Sequence, residues 1–440
     1  MIFTVSYFLL IALSLIVLQV GFKKSRLHGI VITSISILLY FNPIAAGVTL
    51  LTSVLTYFAL KSKNRNIQIG LIVILIVVFL LSKSIASSTS FLVGYSYYFL
   101  QLLSLLIYPP KKEVKLIDVI AGTTFFTRFF AGPILTKNQL NVTGKIKKED
   151  IIYGLNRISL GIFKKVVLSN RLVDMQSGYF DYPLEAQNGL LVLVSSLLFT
   201  AQMYLDFSAY SDIAIGTGRI LGVKLPENFN LPFRSKNVSE YWRRTHITLI
   251  TWLTQHIYYP ITYQFRKHKY LSVIIAIFST FILSGIWHGL SFGFLLWGFL
   301  NALYLVVEFL TKKQRLAWKR FNFIPIVTVF ILVTIANYFF KLNDFQTIQK
   351  SLVRLVELPF LPINYMTDFV AVLGKGGYLE QQFHLLENVF LLVLFFALEP
   401  KLIRWSEKTN FKISYFTLIV ILIFIFGNFA STNEFIYLQF

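Results

Sequence analysis

The stretch LSGIWHGLSFGFLLWG, residues 283–298, sets one imidazole, His288, in a run with no charged residue from Leu271 to Val307. Hydrocarbon offers a polar ring no partner, so a histidine at membrane depth serves either a function or a bond across helices. Burial disfavours the charged ring and leaves a neutral imidazole able to take a proton from a hydroxyl, the step that acyl transfer to an alcohol requires. Gly285, Gly289 and Gly293 recur every four residues, marking a face where another backbone approaches closely, with His288 beside it and pointing into the bundle. Counted from the basic residues 266–269 at about 20 residues per span, His288 falls toward the outer end of its helix.

A second constellation lies in PENFNLPFRSKNVSEYWRRTHITLITWLTQHIYYP, residues 226–260, polar at its start, aromatic throughout and basic on both flanks. Two basic flanks place both ends on one membrane side, so the segment is re-entrant or interfacial. Asn237 followed by Glu240 forms a capping box that starts a helix near Val238. On that helix Trp242, His246 and Leu249 share a face with Arg243 and Arg244 beside it, so an imidazole and two guanidinium groups would meet one cavity. Such a cluster suits an anionic, phosphate-bearing donor; equally, the arginines would bind lipid phosphates and His246 a carbonyl.

The third stretch, YLDFSAYSDIAIGTGRILG at residues 204–222, holds Asp206 and Asp212 in apolar company. Six residues subtend about 240° on a helix, so the pair does not form a carboxylate clamp, which weakens a metal-dependent glycosyltransferase reading. Each aspartate is expected to bond neighbouring backbone or pair with a nearby base. No metal site is expected. His28, His256, His268 and His384 fall in loops or at helix ends and receive no role, and the sequons at Asn141 and Asn237 lie beside basic residues.

The elements that must position these groups follow from composition. Of 440 residues 56% are hydrophobic and 14% charged, and mean hydropathy is +0.66, so the bilayer is the main solvent. Backbone polar groups in lipid must be satisfied within the segment, which predicts an all-α, polytopic transmembrane helix bundle. Lys and Arg number 41 against 20 Asp and Glu, a formal charge of +21, but they cluster between apolar runs (Lys23, Lys24, Arg26; Lys61, Lys63, Arg65; Lys111, Lys112, Lys115). That is a topology signal for cytoplasmic loops and argues against a nucleic-acid partner. Cysteine is absent, which excludes disulfides, thiolate zinc sites and a cysteine-linked acyl-enzyme.

Apolar runs near 2–21, 29–41, 44–60, 67–82 and 91–108 alternate in the charge of their flanks, which puts the amino terminus outside the cytoplasm and makes the first run a retained span. The second and third runs meet at Asn42-Pro43 as a hairpin. From 116 to 172 buried-looking stretches are interrupted by Arg128, Arg157, Lys164, Lys165 and Arg171, and Gly132-Pro133 breaks one. Broken, partly buried helices or amphipathic helices on the cytoplasmic surface both satisfy this pattern. Further runs at 189–205, 271–289, 291–311, 323–340, 385–398 and 412–430 bring the total to roughly a dozen spanning or dipping segments, with an interfacial amphipathic helix at 344–357. No internal repeat is visible, which counts against secondary-transporter folds. Residues 1–110 are read as amino-terminal helices, 111–311 as a catalytic core and 312–440 as carboxy-terminal helices.

FFTRFFAGPI (125–134), LGIFKKVVLSNRL (160–172), YLDFSAYSDIAIGTGRILGVKLPENFNLPF (204–233), YWRRTHITL (241–249) and LSGIWHG (283–289) together resemble the membrane-bound O-acyltransferases, in particular the branch that acetylates bacterial polysaccharides such as alginate. The resemblance covers residues 91 to 311, with the motifs in family order. It implies a core reached by funnels from both membrane faces, with His288 as the central catalytic histidine and His246 as the second. Trp242, Arg243, Arg244, Trp287, Asn228, Asp206 and Asp212 are the expected substrate-binding residues. Two departures stand out: Thr245 replaces the usual tryptophan, and TWLTQHIYYP lacks an arginine-aspartate pair.

The implied activity is transfer of an acyl group, acetyl first, from a cytoplasmic thioester to a hydroxyl of an extracytoplasmic cell-wall or exopolysaccharide acceptor or a partner acyltransferase acting as relay. His288 would remove the acceptor proton, and His246 with the arginines would orient the donor or stabilise negative charge. The donor would be acetyl-CoA or an acyl carrier protein, with no permanently bound cofactor, in a multi-pass protein of the cell membrane in contact with its lipids. D-alanyl transfer to teichoic acid is the alternative within the superfamily; a transporter or flippase for a phosphorylated lipid or sugar is the alternative outside it.

Overall fold

The computed structural model describes residues 14, 25–85, 94–129, 131–135, 142, 146–180, 189–311, 323–342, 344–357, 378–407 and 413–429. The first apolar run, and with it the expected side of the amino terminus, lies outside the described residues. Helices α1 (Arg26–Phe41) and α2 (Pro43–Ser62) meet at Asn42 as expected. The reason is local: Asn42 is extended, its side chain accepts from the Ala45 N–H at 2.9 Å, and Pro43 fits the first helical turn because no intrahelical partner awaits its missing N–H. Helix α3 (Arg65–Ile85) follows, then α4 (Tyr95–Ile107) and the short α5 (Leu116–Thr124).

The next segment takes the broken, buried form. A single 3-10 turn (Phe126–Arg128) precedes non-helical 131–135, and α6 (Lys148–Ile162) passes through a π-helical stretch, Phe163–Ser169, into α7 (Asn170–Phe180). Arg157, Lys164 and Lys165 are 4%, 2% and 0% exposed, which rules out helices lying on the surface. They face α8 (Gly189–Ile220), where 72% of the apolar window is buried against 22–44% in the other five helices long and apolar enough to cross a membrane: α2, α3, α12 (Lys269–His288), α13 (Phe292–Leu310) and α14 (Phe323–Lys341). Helix α8 is the central post. Its close approach to α6 needs glycine on both sides, since a Cβ on Gly216 would stand 2.6 Å from the Gly154 carbonyl oxygen.

The expected pairing of the two aspartates on α8 is present. Asp206 accepts from Lys165 at 2.6 Å and from Ser169 at 3.1 Å. Asp212 meets Arg157 at 2.5 Å and Lys164 at 2.9 Å; Arg157 also reaches Glu227 at 2.9 Å, and Lys164 lies 3.7 Å from Glu399 on α16 (Tyr378–Glu407). The π stretch widens the turn between α6 and α7, and its consecutive lysines serve different carboxylates. The amphipathic helix expected at 344–357 is α15 (Phe345–Glu357), and α17 (Ile413–Phe426) lies against α6 and the π stretch. Among the described residues the fold is an all-α polytopic bundle.

Breaking the Lys165–Asp206 pair leaves a buried charge without compensation. Lys165→Met is expected to destabilise the protein by about 3–5 kcal/mol in reversible unfolding in detergent. Lys165→Met with Asp206→Leu should recover most of that loss, whereas an equally unstable double variant would contradict the pairing role.

Candidate functional site

The segment after α8 begins its helix where the sequence places it. Helix α9 (Val238–Arg244) starts after Asn237, whose side chain accepts from the Glu240 N–H at 2.7 Å. Two carboxylates reinforce that start. Glu240 accepts from the Lys236 N–H at 2.8 Å, one residue earlier than a capping box requires, and Glu308 on α13 accepts from the Val238 and Ser239 N–H groups at 2.9 and 3.3 Å. Partial burial opposes ionisation of Glu240, yet the Lys236 N–H and the Arg244 guanidinium hold its carboxyl below the usual range.

The expected continuous helix through His246 is not formed. It breaks at Thr245, His246 takes a left-handed backbone (φ 44°, ψ 46°), and α10 (Ile247–Leu253) starts after it. A non-glycine residue keeps such a conformation only when its surroundings hold it there. The 228–230 strand of chain does so from both sides: the Asn230 N–H donates to the Arg244 carbonyl and the Ile247 N–H to the Asn228 carbonyl, both at 2.9 Å. The buried Asn228 side chain then accepts from the Thr248 hydroxyl at 2.9 Å and amide at 3.3 Å, and donates to Ser211 on α8 at 3.3 Å. Asn228 is therefore a fastener for the His246 bend.

His288 is the last residue of α12, about 29 Å of helical rise from Lys269 and so at the opposite end of the helix from the basic residues 266–269. The three spaced glycines do not share one helix face, because α12 ends at His288 and Gly289 is fully extended (φ 173°, ψ 169°). Each still admits a neighbour: a Cβ on Gly285 would lie 2.5 Å from the Phe294 carbonyl oxygen, and one on Gly293 would lie 1.9 Å from that of Leu342. Lys83, near the end of α3, donates to the His288 carbonyl at 3.1 Å, satisfying one of the orphan acceptors at the helix end with a favourable charge. No motif in the sequence marks Lys83; a lone lysine ending an apolar run was the only signal.

The two histidines, 42 positions apart, line one cavity of about 40 Å3, room for a few waters. Trp287, expected to bind substrate, packs against both without being among the residues that line the cavity, its ring centroid 6.0 Å from that of His246 and 4.8 Å from that of His288, and its indole N–H fixed to the Ser96 carbonyl at 3.0 Å. His288 also packs edge-on against Trp297 and Phe340, and His246 against Phe207. Thr200, Tyr204, Thr245, Ser284 and Asn337 supply polar lining.

Trp242 closes one side, donating to Asn301 at 3.2 Å, and is also a wall of a second cavity of about 690 Å3. Arg243 lines that second cavity, not the chamber. Arg244 is bound to Glu240 at 2.8 Å and to the Asn230 carbonyl at 3.2 Å. The shared cavity expected for one imidazole and two guanidinium groups is thus corrected. The break at Thr245 re-aims His246 inward while the arginines stay on the preceding turn. Asp206 and Asp212 lie in the ion pairs behind Tyr204, outside the chamber lining.

A helical membrane bundle with two imidazoles at helix ends defines an integral membrane protein built around a buried histidine chamber. Residues 49–348 match the MBOAT, membrane-bound O-acyltransferase family, and the chain belongs to that family. The match extends beyond the stretch at 91–311 that carries the motifs. Over 271 residues the chain is 30% identical to a peptidoglycan O-acetyltransferase of Helicobacter pylori, covering 58% of this chain and 50% of that protein. Over 317 residues it is 29% identical to a probable alginate O-acetylase AlgI of Pseudomonas aeruginosa, covering 70% and 58%. A teichoic acid D-alanyltransferase of Bacillus subtilis is 27% identical over 259 residues, covering 54% and 64%. The chain spans about half the length of the acetylating relatives it matches.

Asn228→Ala should cost about 1–3 kcal/mol, because the Thr248 and Ser211 groups lose a buried partner. Lys83→Met should cost about 1 kcal/mol through loss of the helix-end bond. Unfolding midpoints in detergent measure both, and a wild-type midpoint for Asn228→Ala would refute its role as fastener.

Proposed function

We propose that this protein is a membrane O-acyltransferase that moves an acetyl group from a cytoplasmic thioester to a hydroxyl of an extracytoplasmic polysaccharide, cell-wall polymer or relay protein. The observation that carries the reading is the convergence of His246 and His288, from separate broken elements, on one enclosed chamber. In the reaction the His288 imidazole takes the acceptor hydroxyl proton as its oxygen attacks the thioester carbonyl. A C–O bond forms, the tetrahedral intermediate collapses, the C–S bond breaks, and the imidazolium returns its proton to the departing thiolate. His246 and the polar lining groups orient the carbonyl and stabilise its developing negative charge. Arg243, on the far side of Trp242, serves the donor in the larger cavity instead of the reacting centre.

Acetyl is favoured over D-alanyl by the lining. A D-alanyl ester carries an ammonium group that needs a carboxylate when taken out of water, and no carboxylate is among the described residues that line the chamber. The motifs SDIAIG and LSGIWHG support the same choice by their likeness to the acetylating branch.

His288→Ala is expected to insert and express normally and to lose at least about 100-fold in acyl transfer, the scale of a general base. Near wild-type transfer by that variant would end the mechanism. Supplied in parallel with radiolabelled acetyl-CoA and a labelled D-alanyl carrier protein, the wild-type protein should put only the acetyl label into product; D-alanine label in the product would reverse the choice of acyl group.

A further inference from the structure

Among the described residues, Trp242 is the only side chain that lines both the chamber of about 40 Å3 and the cavity of about 690 Å3. Two helices nevertheless run past it from one space to the other. On α12, Val273, Ile277 and Thr280 face the larger cavity, while Ser284 and His288, four and eight residues after Thr280, line the chamber. These positions recur at helical spacing, so one face of α12 serves both spaces, with about 12 Å of rise from Thr280 to His288. On α13 the order is reversed. Trp297 faces the chamber, Leu305 and Glu308 face the larger cavity, and the buried Asn301 lies one turn from Trp297 and one from Leu305. The two spaces are therefore parts of one groove, divided by an indole ring.

That ring is held where it stands. Trp242 packs edge-on against Phe281 of the larger cavity, centroids 5.1 Å apart, and against Trp297 of the chamber at 5.6 Å. Trp297 is in turn edge-on to His288 at 5.2 Å, so a single aromatic ring stands between the partition and the imidazole. Asn301 fixes the orientation of both indoles' elements: its Oδ1 accepts from the Trp242 indole N–H at 3.2 Å, and its amide donates to the Trp297 carbonyl at 2.8 Å. A polar side chain 1% exposed on a membrane helix needs partners for both ends, and Asn301 finds them in the partition and its neighbour.

We propose that Trp242 sets the length of the acyl group this protein transfers, letting a two-carbon acyl thioester reach His288 and stopping longer chains in the larger cavity. The inference rests on the acyl-transfer reading above and adds to it the residue that selects. Space for a few waters takes an acetyl group, whereas a butyryl or hexanoyl chain at His288 would have to occupy the volume of the indole. One methylene in an apolar pocket is discriminated by about 10–200-fold, so a fixed ring at this point suffices for a strict choice.

The test uses membrane vesicles of cells that make the protein, which keep the native acceptor in place, with radiolabelled acetyl-, butyryl- and hexanoyl-coenzyme A as donors. Label released from ester by alkali measures transfer. Wild type should transfer acetyl at least about 100-fold faster than butyryl. Trp242→Ala should bring that ratio within about tenfold and admit hexanoyl, and Trp242→Phe should fall between the two. Asn301→Leu, which keeps the ring and removes its bond, should narrow the ratio by about threefold. Any one of these variants decides the question if another fails to insert. An unchanged ratio in the variants, or equal loss of all three chain lengths, would mark Trp242 as packing alone and overturn the assignment. So would a wild type that transfers butyryl as fast as acetyl. No label from any donor with wild type would instead end the acyl-transfer reading itself, so the two failures are told apart.

Discussion

Lipid supplies no hydrogen bonds, so each interruption of a helix and each charge inside this bundle must find its partner within the protein. The constraint explains where the irregular backbone lies. The left-handed residue at His246 is flanked by two backbone bonds to the 228–230 segment, and the helix end at His288 is met by the Lys83 ammonium. At both places neighbouring elements satisfy the irregular backbone. Both are the ends that deliver the histidines to their chamber, so the breaks that cost most to stabilise are also the ones that create the site.

The same constraint governs the charged layer behind the chamber. Asp206 and Asp212 face different cations because the π stretch presents Lys164 and Lys165 on a widened turn, with Arg157 one helical segment earlier. Buried pairs of this kind gain little net stability over well-packed apolar residues, but they fix the register between two helices, since sliding either by a turn would leave several charges without partners. Tyr204 belongs to both layers: it lines the chamber and donates to Glu399, which in turn lies near Lys164. The floor of the chamber is thereby held by the ion-pair layer, and the aspartates act on the site through position.

Much of this was legible in the sequence, for identifiable reasons. Asn42-Pro43 and Asn237 carry cap chemistry that acts within three residues, so the hairpin and the start of α9 could be read directly. Apolar runs fixed by the bilayer gave the limits of α12, α13 and α14 closely. What the sequence did not disclose depends on partners distant in the chain. Nothing local to Thr245-His246 signals a left-handed turn; the reason lies in Asn228, some twenty residues earlier. The same holds for Gly285, Gly289 and Gly293, whose even spacing suggests one helical face although an extended Gly289 divides them between two helices. Lys83 is 205 residues from the carbonyl it caps.

The break at His246 also sorts the functions of adjacent residues. Had the helix continued, His246 and the two arginines would have shared one polar pocket, and a guanidinium beside an imidazole in a water-poor space would favour bound anions over proton transfer. With the turn reversed, Trp242 becomes the partition: imidazoles, hydroxyls and an amide on one side, Arg243 with Glu308 on the other. In the proposed reaction the base would work in a chamber without fixed charge among its described lining, where a developing oxyanion would meet dipoles already in place and little water would compete for it. The charges that would recognise a phosphorylated donor stay at a distance from the bond being broken. Separation of the arginines from the imidazoles follows from one residue holding an unfavourable backbone angle, and that angle is held by the Asn228 side chain and two backbone hydrogen bonds.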